Sequence, residues 1–486
     1  MSSPKIFLIT LVAILFVCSA AISAPNVIYI LADDLGYGDL SCYDQETLKM
    51  PNLDRLAEDG MRFTSHYAGA TVCAPSRYVL LTGKHNGHAS IRNNRIKALG
   101  EEEFTLAELF KKAGYRTACI GKWGVGTPPD DKDANRAGFD EFYGYNNMFH
   151  AHNYYPEFLI RNGKKEMLRN EVPDHFDKPT SYMPVPYYLE GRGVATKKVD
   201  YAPQLIQNDV LRFIRENQED PFFLYYALNI PHANNEGGSG YTETGERIRG
   251  TQFNGMAVPD VGAFGERDWP IQEQGFARMI QHIDDWVGEI VALLNELNLS
   301  EDTVVMFSSD NGPHHEGNHD HDFFDSNGDF RGYKRALFDG GVRVPLIASW
   351  PGNIPAGRES DLMSGFQDMM PTMAELIGIE SPDTDGVSLL PTLIDNGDAQ
   401  EYHEFLYWEF PSLSGTQGLL YLNQWKAIRR GLYEDKNAPV ELYDLSIDIG
   451  EQRDVAAANP GLANHLLNLM MEQHTPFDET WDLTQQ

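Results

Sequence analysis

Asn26-Val27-Ile28-Tyr29-Ile30-Leu31-Ala32-Asp33-Asp34 sets the reading of the whole chain. Its apolar run is short and almost unbroken. That pattern predicts a central strand covered on both faces of a sheet. Two carboxylates then close the run. Open α/β sheets place ligands beyond the carboxyl ends of their strands, so the acid pair marks a candidate site as well as a strand end.

The same arrangement recurs downstream. Helices are predicted over residues 51–60, 77–81, 105–113, 202–215 and 275–297, and strands over 115–120, 222–228, 303–309 and 344–349. Alternating helices and apolar strands point to a large mixed, mostly parallel β-sheet flanked by helices. Lys122, His232, Asp310 and Asn311 fall at or just past predicted strand ends. Residues 126–200 and 234–270 read as loop-rich insertions that shape a pocket. Beyond residue 395 the pattern changes. Strands over 404–410, 424–429 and 439–445 and a helix over 461–472 predict a small α+β subdomain with an antiparallel sheet. The expected division is 25–395 for the main α/β domain and 396–486 for the subdomain.

Residues 1–24 read as a secretory signal. Lys5 supplies the positive start, residues 6–17 the apolar stretch, and Ser19-Ala20-Ala21-Ile22-Ser23-Ala24 the small-residue cleavage pattern. The stretch is short for a membrane span, and no later one suits it. A periplasmic or extracellular protein is expected, with no integral membrane segment after signal removal. Cys18 leaves with the signal. Cys42, Cys73 and Cys119 remain, an odd number that makes no disulfide framework; a single Cys42–Cys119 bridge stays open. The chain carries 71 acidic and 39 basic residues, for a net charge of -32. Such a field disfavours nucleic acid and anionic membranes. An anionic substrate would need a locally basic pocket.

Asp33, Asp34, Asp310 and Asn311 make a hard oxygen cluster. Crowded carboxylates need a cation to stay ionised. Oxygen-only ligation suits Ca²⁺ or Mg²⁺ rather than zinc. Arg77, Lys122, His232 and Lys334 each read alone as ordinary polar residues. Together they form a basic pocket floor able to hold an oxyanion. Between these groups stands Cys73, in Cys73-Ala74-Pro75-Ser76-Arg77.

That motif, followed by Leu81-Thr82-Gly83, resembles the signature of the type I, formylglycine-dependent sulfatases of the alkaline-phosphatase-like superfamily. Residues 26–38, Gly121-Lys122-Trp123, Ser309-Asp310-Asn311-Gly312 and Gly332-Tyr333-Lys334-Arg335 with Gly340-Gly341-Val342-Arg343-Val344-Pro345 resemble further blocks of that family, in order. Residues 311–335 are most similar to secreted bacterial carbohydrate sulfatases. The resemblance implies that a formylglycine-generating or anaerobic sulfatase-maturing enzyme oxidises Cys73 to formylglycine, the nucleophile. It implies that Asp33, Asp34, Asp310, Asn311 and the modified residue 73 hold calcium, with magnesium as the alternative ion. Arg77 would support the nucleophile and the cation. Lys122, His232 and Lys334 would clamp the sulfate, with His232 or Lys334 protonating the leaving oxygen.

One position departs from the family pattern. Many relatives carry a histidine base two residues after the loop lysine, where this chain has Gly124. His85 and His88 are candidate auxiliary bases. Asp339, where relatives often have glutamate, is expected to be structural. Candidate sugar contacts are Arg92, Asn93, Asn94, His150, His152, His314, His315 and His319, with residues 314–321 as a pocket rim. The implied substrate is a sulfated oligo- or polysaccharide, of algal galactan or glycosaminoglycan type. The competing readings are a phosphatase or phosphonate hydrolase of the same superfamily, and a catalytically silent sulfated-glycan-binding protein.

Overall fold

The computed structural model describes residues 25–94, 97–126, 130, 132–172, 190–235, 255–477 and 480–484. The expected signal, residues 1–24, and parts of both insertions, chiefly residues 173–189 and 236–254, lie outside the described residues. The strands in chain order are β1 (Asn26–Asp33), β2 (Met61–Phe63), β3 (His66–Tyr67), β4 (Arg116–Lys122), β5 (Glu141–Tyr145), β6 (Phe158–Arg161), β7 (Lys164–Met167) and β8 (Phe222–Pro231). They continue as β9 (Thr303–Ser309), β10 (Leu346–Ser349), β11 (Arg358–Ser360), β12 (Ser364–Gly365), β13 (Phe405–Phe410), β14 (Thr416–Tyr421), β15 (Trp425–Arg430) and β16 (Glu441–Asp444). The helices used below are α1 (Pro51–Glu58), α2 (Cys73–Thr82), α3 (Leu106–Lys112), α4 (Asp133–Arg136), α5 (Met148–Ala151), α6 (Ala202–Glu216) and α7 (Ile271–Glu296).

Among the described residues the main sheet has ten strands, in the order β11-β2-β10-β9-β1-β8-β4-β5-β6-β7. Its centre, β9-β1-β8-β4-β5, is parallel throughout. β10 and β6 join this block antiparallel. β1 shows why the opening run is nearly all apolar: every one of its residues is buried. Ile28 and Ile30 pack in one core with Ile206, Val210 and Phe213 of α6 and Ile283 and Trp286 of α7. Val27, Tyr29 and Leu31 point the other way, with Tyr78 and Leu81 of α2 and Leu109 and Phe110 of α3. Each such side chain contributes roughly 1.5–3 kcal/mol by burial. Local signals set the flanking helices. Thr105 caps α3, with its side chain accepting from Glu108 N and Glu108 Oε2 accepting from Thr105 N.

β13–β16 form a separate antiparallel meander. Alternation along β13 serves two layers. Leu406, Trp408 and Phe410 pack with Val72, Leu337 and Val342, under the start of α2. Tyr407 faces Leu466 and Met470 of the helix Pro460–Gln473. Lys426 Nζ donates to Asp339 Oδ1 at 2.9 Å, both fully buried, so Asp339, in the short helix Asp339–Val342 before β10, ties the meander to the main domain.

Several expectations change. The helix expected over 77–81 begins at Cys73 itself. The strand expected over 344–349 begins at Leu346 and runs antiparallel. Among the described residues the C-terminal sheet has four strands rather than three, the added one being β14. Residues 126–200 contribute β5, β6 and β7 to the main sheet. Cys42 and Cys119 are both free thiols, so no bridge joins them.

Candidate active site

The site lies where β1, β4, β8 and β9 end side by side. β1 delivers Asp33, and the next residue, Asp34, turns the chain with φ 64°. β9 delivers Asp310 and Asn311. The β1 and β9 ends are bonded together: Asp34 N donates to Asp310 Oδ1 at 3.0 Å, and Asn311 Nδ2 donates to Asp34 Oδ1 at 2.7 Å. Leu35 N donates to Ser309 Oγ at 2.9 Å. All four oxygen-bearing residues are buried.

Three cations neutralise this cluster. Arg77, fully buried on α2, donates from Nε to Asp310 Oδ2 at 2.9 Å and from Nη1 to Lys122 O at 2.7 Å. Its Nη2 stands 3.6 Å from Asp33 Oδ1. Lys122 Nζ donates to both Asp33 oxygens, at 3.0 and 2.7 Å. Lys334 Nζ donates to Asp34 Oδ2 at 2.7 Å. Burial alone would raise Asp33; Lys122 and Arg77 overcome it and hold the carboxyl well below the usual range. Asp310 goes the other way. Burial, and then the Asp33 carboxylate, push it up to about 7.

Cys73 starts α2 beside these oxygens. A sulfur or oxygen atom from each of Asp33, Cys73 and Asp310 lies within 4.8 Å of the other two. A buried cluster of this kind is suited to a metal ion. The donor set fits: Asn311 Oδ1 is buried with no hydrogen-bond partner among the described residues, and Asp310 is crowded by Asp33. A cation would satisfy both. Asn94 supports the helix start, accepting from Ala74 N at 3.1 Å and reaching Cys73 Sγ at 3.5 Å. Burial pushes the Cys73 thiol up, against the pull of Lys122.

His232 follows β8. Its Nδ1 stands 2.7 Å from Ala233 O, so that nitrogen carries the hydrogen. Its Nε2 then accepts from Lys334 Nζ at 2.9 Å. Burial, and then Lys334, lower His232 to about 3, which keeps it neutral. Glu316, which sequence reading missed, stands 3.5 Å from Lys334 Nζ and pairs with Arg335. An acid six residues past Asp310, in the same strand-end loop, was the available signal. His152 stacks on His232 with ring centroids 4.4 Å apart. His314 lies nearby, 6.0 Å from the His232 ring.

Other candidates go elsewhere. His85 and His88 follow the far end of α2, a ten-residue helix and so about 15 Å from Cys73 at 1.5 Å per residue. They stack on each other and bond Gln473 and Asp385. Arg92 is buried on Glu409 and Thr475 O, and Asn93 donates to Pro411 O. His150 is buried against Phe158 O, and His319 against Glu273. These four groups hold loops together instead of facing a ligand. His315 is exposed and meets His321, Asp320 and Tyr333. The expected rim over 314–321 is therefore divided between buried and exposed residues. Gly124 adopts φ 62°, and a Cβ there would stand 3.1 Å from Arg77 Cδ and 3.2 Å from Lys122 Cε. The loop geometry leaves no ready space for a side chain at this position.

Comparisons with known proteins agree with this arrangement. The Sulfatase family model matches residues 25–379, and the N-sulphoglucosamine sulphohydrolase C-terminal model matches residues 320–474. N-acetylgalactosamine-6-sulfatase of Sus scrofa is 32% identical over 438 residues, covering 84% of this chain and 74% of its own. The crystal structure of Ps i-CgsB with k-i-k-neocarrahexaose superposes with a TM-score of 0.71 at 24% identity, covering 94% of this chain and 93% of that one. A Bacteroides thetaiotaomicron structure, described under the metabolism of multiple glycosaminoglycans, gives a TM-score of 0.70 at 25% identity over 92% of this chain and 98% of that one. With strand-end acids, buried cations and a helix-start cysteine in one place, and a family model spanning most of its length, the chain belongs to the sulfatase family of sulfuric ester hydrolases.

Proposed function

We propose that this chain releases inorganic sulfate from sulfated carbohydrates, with Cys73 matured to formylglycine and a calcium ion held by Asp33, Asp34, Asp310 and Asn311. The observation that carries the reading is the position of Cys73. It stands at a helix start against two strand-end aspartates, beside two buried lysines. Its buried thiol is raised, so it is a poor nucleophile as a thiol. Formylglycine would supply a hydrated aldehyde oxygen as the nucleophile. Calcium would neutralise charge on sulfate oxygens; hard oxygen donors favour it over a softer metal.

The remaining roles belong to this chain's own side chains. Lys122 and Lys334 flank the place of the sulfate and neutralise its oxygens. Arg77 orders Asp310 and the Lys122 loop. Neutral His232 accepts from Lys334 and aims it, so Lys334 is the proton donor to the leaving oxygen. Asn94 braces the α2 start. Residues 25–395 would form the catalytic unit and 396–486 the unit packed beneath it. The relatives act on N-acetylgalactosamine sulfate or bind a neocarrahexaose by name, which supports a sulfated galactan or glycosaminoglycan as substrate. Residues 1–24 support export to the periplasm or medium; among the described residues no helix is long and apolar enough to cross a membrane. Maturation by a formylglycine-generating or anaerobic sulfatase-maturing enzyme would precede activity.

The experiment is sulfate release from defined sulfated oligosaccharides, with the calcium-loaded, co-matured protein and a Cys73→Ala control. Sulfate release that the control abolishes is expected. Phosphate or phosphonate turnover without sulfate release would overturn the reading, as would glycan binding by fully matured protein without turnover.

A further inference from the structure

Among the described residues three imidazoles gather beside the two lysines, and two are fully engaged. His232 uses Nδ1 on Ala233 O and Nε2 on Lys334. His314 has Nε2 at 3.1 Å from Pro231 O, and its Nδ1 accepts from Glu316 N at 3.1 Å. His152 differs. It is 7% exposed, yet its Nδ1 is buried with no hydrogen-bond partner among the described residues. A buried polar atom without a partner is costly, so a ligand that satisfies it gains affinity.

The surrounding segment holds this ring in place. His152 directly follows α5, whose Ala151 O accepts from Asn229 Nδ2 at 2.9 Å. On the other side Asn153 O accepts from Tyr145 Oη at 2.9 Å, and Tyr154 Oη donates to His232 O. The His152 and His232 rings lie 16° from parallel. His152 therefore stands one ring layer beyond the imidazole that touches Lys334, beside the sulfate clamp.

The local charge selects its partner. Burial, and then His232, Lys122 and Lys334, hold His152 well below the ordinary imidazole range, so it is neutral. A neutral ring adds little to an anion already flanked by two ammonium groups. It suits an uncharged hydroxyl, with which it exchanges one hydrogen bond. We propose that His152 is a specificity-determining residue that hydrogen-bonds a sugar hydroxyl on the ring carbon next to the sulfated one. This rests on the sulfated-carbohydrate reading above.

The test uses the full-length Cys73→Ser protein loaded with calcium, which binds without turning over. Calorimetry compares 4- and 6-sulfated galactose and N-acetylgalactosamine with inorganic sulfate, with and without His152→Phe. Phe keeps a flat ring for the stack and removes both nitrogens. The affinity ratio of the best sulfated sugar over inorganic sulfate is expected to fall at least tenfold, because a site built around a substrate hydroxyl rejects a ligand whose hydroxyl goes unpaired. His152→Gln, which keeps a hydrogen-bonding group, is expected to recover part of that ratio, and serves alone if the Phe variant does not fold. The matching deoxy sugar, lacking the neighbouring hydroxyl, should bind the parent and His152→Phe proteins equally relative to sulfate. A ratio within twofold of the parent protein, or an equal loss of sugar and sulfate binding, overturns the proposal. If the parent protein binds no sulfated sugar at all, the carbohydrate reading itself fails.

Discussion

At the residue scale, the site is a problem in placing charge. Among the described residues, three strand-end aspartates and three buried cations share one small volume, with Glu316 beside Lys334. Lys334 is the clearest case. It bonds Asp34 and His232, and in the proposed mechanism the neutral imidazole leaves the transferable proton on the lysine. Lys334→Met should therefore lower kcat by about 10²–10⁴-fold, measured as sulfate release from the best substrate. An equal loss from His232→Gln with Lys334 intact would point instead to histidine as the proton source. Gly124 tests the backbone. Because its φ is 62° and a Cβ would press on Arg77 and Lys122, Gly124→Ala should cost about 1–2 kcal/mol in urea unfolding. Among single residues, those at predicted strand ends were legible from sequence, since chain direction alone brings them together. Glu316 and the engagement of each imidazole were not. They depend on where the strand-end loop folds back and on which carbonyls happen to face a ring.

At the element scale, α2 and the meander β13–β16 make one supporting layer. Val72 and the strand faces share a core directly under Cys73, and the buried Asp339–Lys426 pair fastens it. Asp339→Ala should cost roughly 3–5 kcal/mol, because it leaves the Lys426 ammonium buried and unpaired; thermal or denaturant unfolding reads this directly. Asp339→Asn, which keeps shape without charge, should fall between. The central strands were readable because burial on both faces forces long apolar runs, as in β1, β8 and β9. The edge strands were not. β2, β7 and β11 are three or four residues long, and β7 is exposed along its length, so no hydrophobic period marks them. β10 illustrates a further limit: its apolar run predicts a strand, but its antiparallel pairing with β9 and β2 is not written in its own residues.

At the scale of the whole molecule, a chain of net charge -32 concentrates buried positive groups at one point. That concentration lets a strongly acidic protein receive an anion. Cation binding should also be coupled to pH. Asp310 is raised from 3.8 to about 7 when no cation is present, so its stabilising contribution is complete below about pH 4 and is lost as pH rises through 7. A bound cation would remove that loss by holding the carboxylate ionised. The rise in melting temperature on adding saturating calcium should thus be larger at pH 8 than at pH 6, and Asp310→Asn should flatten the difference. An equal increment at both pH values would place the cation elsewhere.

The central claim is that residue 73 is a precursor and not a working thiol. The direct measurement is the mass of the tryptic peptide containing residue 73, from full-length protein co-expressed with a maturation enzyme, read alongside sulfate release per mole of converted protein. The aldehyde or its hydrate at residue 73, with activity proportional to the converted fraction, is the predicted result. Full sulfatase activity from protein whose Cys73 remains an unmodified thiol would contradict it.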